Sequence, residues 1–86
     1  MTESSRGLKV EGSLDLRHLP PPEAYQKAVD RLRALAEDDI LELYLDDGEA
    51  LRKLPFGLRA EGHEILISEP ANEGVRFLVR KRSLLP

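Results

Sequence analysis

Leu14-Asp15-Leu16-Arg17-His18-Leu19-Pro20-Pro21-Pro22-Glu23-Ala24 is the stretch on which the fold turns. Leu14 and Leu16 alternate with Asp15 and Arg17, the period of a strand with one buried face. Three prolines then fix φ near the polyproline value and remove three consecutive backbone donors. A helix leaves its first N–H groups without intrahelical partners, so proline is well tolerated there. With Pro22 as the first helical residue, Glu23 sits beside the positive end of the helix dipole. The stretch therefore predicts a strand, a rigid corner and a helix start.

Outward from the corner, the pattern alternates between helix and strand. A first helix is expected over 22–36, where Tyr25, Ala28, Val29, Leu32 and Leu35 form an apolar stripe. Glu23 and Lys27 are spaced as a favourable i,i+4 pair. Glu37-Asp38-Asp39 reads as a solvated acidic turn, because it lacks the glycine and further ligands of a cation loop. A strand is expected over 40–45. Leu41, Leu43 and Leu45 share its buried face, and Ile40, Glu42 and Tyr44 share the other. A strand–helix–strand unit makes the first two strands parallel through a right-handed crossover.

Asp47 is expected to cap the second helix, whose apolar face is Leu51, Leu54 and Leu58. Pro55 inside it predicts a kink or a restart. Gly62 fits the left-handed position that closes a helix. A third strand is expected over 64–69, with Ile65 and Ile67 inward and Leu66 and Ser68 outward. Residues 70–74 read as a hairpin loop. A fourth strand over 75–81 places Val75, Phe77 and Val79 inward and Arg76, Leu78 and Arg80 outward. The order β-α-β-α-β-β gives an α+β class. Its architecture is a two-layer α/β sandwich, a four-stranded mixed sheet with two helices on one face.

Asp15 to Ala24 resembles the signature of the TusA/SirA-like sulfur-carrier family, Asp-x-Arg-Gly-x-x-Cys-Pro-x-Pro. Asp15, Arg17 and Pro22 match it. His18 stands at the family's glycine, Pro21 at its cysteine and Ala24 at its second proline. The resemblance continues through Asp46-Asp47, Pro55, Gly62-His63-Glu64 and Phe77-Leu78-Val79-Arg80-Lys81, and covers about residues 14–81. It implies the sulfur-carrier fold. In that family the thiol carries sulfane sulfur as a persulfide, and a helix N-terminus favours its thiolate. This chain has no cysteine, and a proline ring is neither a nucleophile nor a redox centre. It looks most like a cysteine-less branch of the family with a proline-rich corner, and persulfide sulfurtransferase chemistry is not expected of it.

The 86 residues carry thirteen Lys and Arg against sixteen Asp and Glu, a net charge of −3. That length is one domain with a thin core. A flexible N-terminal segment is expected over 1–12, a domain over 13–82 and a tail over 83–86. Leu8 and Val10 are the residues by which the first strand would lengthen. The mixed, mildly acidic surface argues against general nucleic-acid binding. No apolar run is long enough to span a bilayer, and the first residues carry no apolar signal region, so the cytoplasm is the expected location.

Two surfaces are candidates. The corner offers Asp15, Arg17, His18, Pro21 and Glu23. The open sheet face offers Tyr44, Leu66, Arg76, Leu78 and Arg80, a mixture found at protein interfaces and on RNA-stacking sheets. Tyr25 reads as a core residue of the helix stripe before a ligand contact. His18 and His63 alone make an incomplete metal site, and Asp46-Asp47 has no accompanying base or nucleophile. No cofactor or metal is expected. The leading expectation is a non-catalytic, protein-binding or regulatory module, with a link to sulfur or redox metabolism by analogy alone. The alternatives are RNA binding through Arg76, Arg80, Lys81 and Arg82, and a sulfur-relay role without a thiol.

Overall fold

The computed structural model describes residues 9–82; Leu8 and the tail over 83–86 lie outside them. Four strands and two helices follow in the order β1 (Val10–Asp15), α1 (Pro21–Ala34), β2 (Ile40–Leu45), α2 (Glu49–Ala60), β3 (Glu64–Ala71) and β4 (Gly74–Arg80). The sheet order is β1-β2-β4-β3. β1 and β2 are parallel, and β4 runs antiparallel to both β2 and β3. β2 and β3 are thus parallel with β4 between them. Both crossovers progress across the sheet in one direction, so right-handed connections put both helices on the same face. The core agrees: Ala28 and Leu32 of α1 and Leu54 and Leu58 of α2 join Leu41, Leu43, Leu45, Phe77 and Val79 in one buried cluster. Each large side chain so buried contributes roughly 1.5–3 kcal/mol relative to exposure.

Several boundaries move, each for a physical reason. β1 begins at Val10, paired with Ile40, so the expected flexible segment over 1–12 gives way to strand at its end. α1 starts at Pro21 rather than Pro22, because Pro20, extended at φ −60 and ψ 148, already serves as its N-cap. The helix ends at Ala34, where the Lys81 ammonium donates to the carbonyls of Leu35 (2.5 Å) and Arg33 (3.3 Å). Glu23 and Lys27 are both exposed and form no ion pair. The acidic turn is not simply solvated. Asp38 N–H donates to the Lys81 carbonyl, Lys81 N–H returns a bond to the Asp39 carbonyl, and Arg82 lies 3.6 Å from the Asp38 carboxylate.

α2 corrects two expectations. Asp47 does not cap it: the N-cap is Gly48 at φ 119, with no side-chain cap bond. Of the kink or restart expected at Pro55, the restart does not occur: the helix runs unbroken from Glu49 to Ala60 with Pro55 buried inside. Its ring contributes apolar surface to the core side in place of one backbone bond. Gly62 does close the helix, at φ 102. Its N–H bonds the Arg59 carbonyl and the His63 N–H bonds the Leu58 carbonyl, the paired bonds of a Schellman motif.

β3 carries the largest revision. Its register shifts between Ile65, opposite Val79, and Ile67, opposite Leu78. Leu66 is therefore the extra residue of a β-bulge, and every later side chain changes face. Ile67 lies on the open face instead of inward, and Ser68, opposite Phe77, on the helix side instead of outward. The five-residue loop expected over 70–74 shrinks to a turn at Asn72-Glu73, because Pro70 and Ala71 stay in the strand opposite Val75 and Gly74. Pro70 is tolerated because β3 is an edge strand. Gly74 is required there. At φ 133, a Cβ on it would stand against the Leu45 carbonyl oxygen.

Candidate functional site

Leu16 is the last core residue before the corner, and its N–H bonds the Tyr44 carbonyl. Beyond it the chain must turn sharply to enter α1. His18 makes that turn in the left-handed region, at φ 73. Glycine takes this conformation freely, and for histidine it carries strain. The Asp46 carboxylate accepts from the His18 N–H at 2.5 Å and holds the turn against the end of β2. Asp46 is thus committed to the backbone, while Asp47 is exposed beside it.

Asp15 and Arg17 meet as an ion pair. Arg17 Nε and Nη2 donate to the two Asp15 carboxylate oxygens at 2.9 and 2.8 Å. These bonds hold the Asp15 carboxyl well below its ordinary range, at about 2. The third branch, Nη1, donates to the Asn72 carbonyl at 2.8 Å, and the guanidinium lies 5.1 Å from the centre of the Tyr44 ring. The corner and the open face, read as separate surfaces, therefore touch through Arg17 and Tyr44.

The helix start has an unusual donor set. Ala24 N–H makes the first helical bond, to the Pro20 carbonyl at 2.9 Å. Pro20, Pro21 and Pro22 have no N–H to give. Glu23 therefore carries the first amide of the helix. An anion at this terminus would lack the donors that ordinarily cradle it. Pro21, at the position of the family's cysteine, is the first residue of α1 and presents only ring carbons.

Pro21 also lines a groove of about 460 Å³ between the N-terminal ends of the two helices. Its other walls are Pro22, Tyr25, Glu49, Ala50, Lys53 and Leu54. The Tyr25 ring packs on Gly57, where a Cβ would come within 2.7 Å of it, and its hydroxyl donates to Glu61 at 3.2 Å. Burial and that carboxylate raise the Tyr25 hydroxyl above its ordinary value. Lys53 and Glu49 form an ion pair of 2.7 Å at the rim. Of the corner residues predicted from sequence, only Pro21 lines this groove. Asp15 and Arg17 face the hairpin, and His18 and Glu23 are exposed. The groove escaped the sequence reading. Its signal was topological: two parallel crossovers start both helices at the same end of the sheet.

The open face is largely self-satisfied. Arg76 Nε donates to Glu42 at 2.5 Å and Nη1 to Glu69 at 2.6 Å. Glu42 also accepts from Ser13 and Tyr44. Burial works to raise the Glu42 carboxyl, but these hydrogen bonds outweigh it and hold it low. Arg80 pairs with Glu64 at 3.6 Å. Leu78 is wholly buried beneath this lattice and offers no contact surface, and Leu66 is the half-buried bulge residue. Lys81 and Arg82 are engaged as well, with the α1 carbonyls and with Glu37, Asp38 and Glu64.

The two histidines stand at opposite ends of the sheet. His18 lies beside Asp46, after β2, whereas His63 precedes Glu64, whose partner Arg80 pairs with Ile40 at the start of β2. His63 Nδ1 accepts from the Arg82 N–H at 3.1 Å, and burial lowers its pKa. No helix among the described residues is long and apolar enough to cross a membrane.

The family model described as Sulfurtransferase TusA covers residues 12–81, nearly the whole of the folded chain. The chain belongs to the TusA sulfurtransferase family, with proline at the corner where that signature has cysteine.

Proposed function

We propose that this TusA-family domain is a cytoplasmic, non-catalytic binding module that docks a protein at the groove beside the proline corner. The observation that carries the reading is the chemistry of the α1 start. Pro21 supplies no thiol, and Pro20, Pro21 and Pro22 supply no amides to stabilise an anionic sulfur. What stays at this end of the fold is shape: an apolar groove walled by Pro21, Pro22, Tyr25, Ala50 and Leu54, with one ion pair at its rim. An apolar surface rimmed by polar residues marks a site of protein or ligand interaction. Needing no cofactor, the module takes part in sulfur or redox metabolism through its partner.

RNA binding is the weaker reading. Arg76, Arg80, Lys81 and Arg82 are each engaged within the domain, so a phosphate would have to displace an existing partner. The groove is tested with Ala50→Arg, whose side chain would lie across it without entering the core. Retention of a native partner by the wild type and its loss by this variant supports the reading. Equal retention by both removes the groove as the site.

A further inference from the structure

We propose that the outer face of α2 is a second contact surface, a stripe on which Phe56, flanked by Arg52 and Arg59, receives an acidic segment of a partner protein that carries an apolar anchor. The inference names the partner's chemistry, and rests on the preceding reading only in taking the partner to be a protein.

Arg52, Phe56 and Arg59 are spaced four and three apart, so they are neighbours along one side of the helix. That side lies away from the buried Leu54 and Leu58, with the buried Pro55 at its edge, three residues from Arg52 and four from Arg59. Phe56 is 72% exposed. It gives nothing to the core, and its helix propensity is below that of the long polar residues usual at such a position. A single exposed apolar residue is ordinary on a protein surface. Its neighbours set this one apart. Arg17, Arg33, Arg76, Arg80 and Arg82 are each ion-paired with a carboxylate. Arg31 lays its guanidinium against Gly12. Among the described residues, Arg52 and Arg59 are the arginines engaged in neither way. The nearby Glu49 carboxylate is held by Lys53.

The stripe is thus a local cationic exception on a chain of net charge −3. Two guanidiniums match two carboxylates on a short segment. They are too few to hold a nucleic acid, whose longer charge would meet the acidic remainder of the surface. Aromatic and arginine side chains are also the types that dominate interface energetics.

The test uses the full chain with Phe56 replaced by p-benzoylphenylalanine, and a second protein with the same photoreactive residue at Pro22 in the groove. Both are irradiated in native lysate and the adduct peptides are sequenced by mass spectrometry. The identified partner is then purified and its affinity measured at low and high salt. The expected adduct at 56 is a segment rich in Asp and Glu around an apolar residue. Arg52→Glu with Arg59→Glu should weaken binding by about tenfold or more and flatten its salt dependence, and Phe56→Ala should weaken it by a similar factor. Arg52→Gln with Arg59→Gln repeats the measurement without charge reversal, and all variants are checked for an unchanged melting curve. The proposal fails if position 56 yields no adduct, a nucleic-acid adduct or a segment without excess carboxylates. It fails equally if the charge variants bind within about twofold of wild type. An adduct at Pro22 alone overturns the stripe and keeps the groove; an adduct at 56 alone keeps the stripe and removes the groove.

Discussion

The Arg17 guanidinium donates to the carbonyl of Asn72 at 2.8 Å, across 55 positions of sequence. With its other branches on Asp15 and its plane over Tyr44, it ties the corner, the open face and the β3–β4 turn together. The Asp-x-Arg of the family signature is thus a latch in this chain. Arg17→Ala should free the hairpin tip and destabilise the fold more than Lys27→Ala, an exposed control. Carboxyl NMR titration provides a second reading. Asp15 should titrate at about 2 in the wild type and return toward 3.8 in the variant. A depressed folded pKa means that this stability is present above the unfolded value and lost as pH falls through the folded one. An Asp15 midpoint near its ordinary value in the wild type would contradict the latch.

His18 occupies a left-handed position at φ 73 where the family signature has glycine. A side chain there costs about 1 kcal/mol, offset in part by the entropy that glycine adds to the unfolded chain. His18→Gly should stabilise the protein by about 0.5 kcal/mol at most, read as a higher urea midpoint at unchanged slope. Because the Asp46 bond is made to the backbone N–H, it survives the substitution.

Gly57 lies inside α2, where alanine ordinarily adds about 1 kcal/mol of stability. Here the new Cβ would stand 2.7 Å from the Tyr25 ring. Gly57→Ala should therefore destabilise, by about 1 kcal/mol or more. In a Tyr25→Ala background the same substitution should revert to stabilising. A double-mutant cycle measures that change of sign.

His63 Nδ1 accepts the Arg82 amide, and burial holds the imidazole below its ordinary 6.5. The unfolded chain then takes up the proton at higher pH than the folded one. Stability from this group is full above 6.5 and falls as pH drops from there through the folded value. Urea midpoints at about pH 7.5 and 5.5 should differ more for wild type than for His63→Gln. Equal differences would remove the coupling.

Local periodicity carried most of the fold. The Leu41, Leu43 and Leu45 alternation and the Tyr25-to-Leu32 stripe place their residues as the structure does. Gly62 was legible because a left-handed helix end nearly demands glycine. The Leu66 bulge was not, since an extra residue is defined only against the facing strand, and so the faces of Ile67 and Ser68 came out reversed. The restart expected at Pro55 does not occur, because proline removes a single backbone bond from α2 and its ring is buried. At the site, the proline corner could be read directly. The groove depended on where α2 lies, and the engagement of the open-face arginines depended on carboxylates from other strands.

We propose that this TusA-family domain works by contact and carries no sulfur. Incubation with a cysteine desulfurase, pyridoxal phosphate and free cysteine, followed by intact mass under non-reducing conditions, tests it most directly. The mass should stay that of the untreated chain, while a cysteine-bearing family member gains sulfur. A stable gain of one sulfur atom on this chain would contradict it.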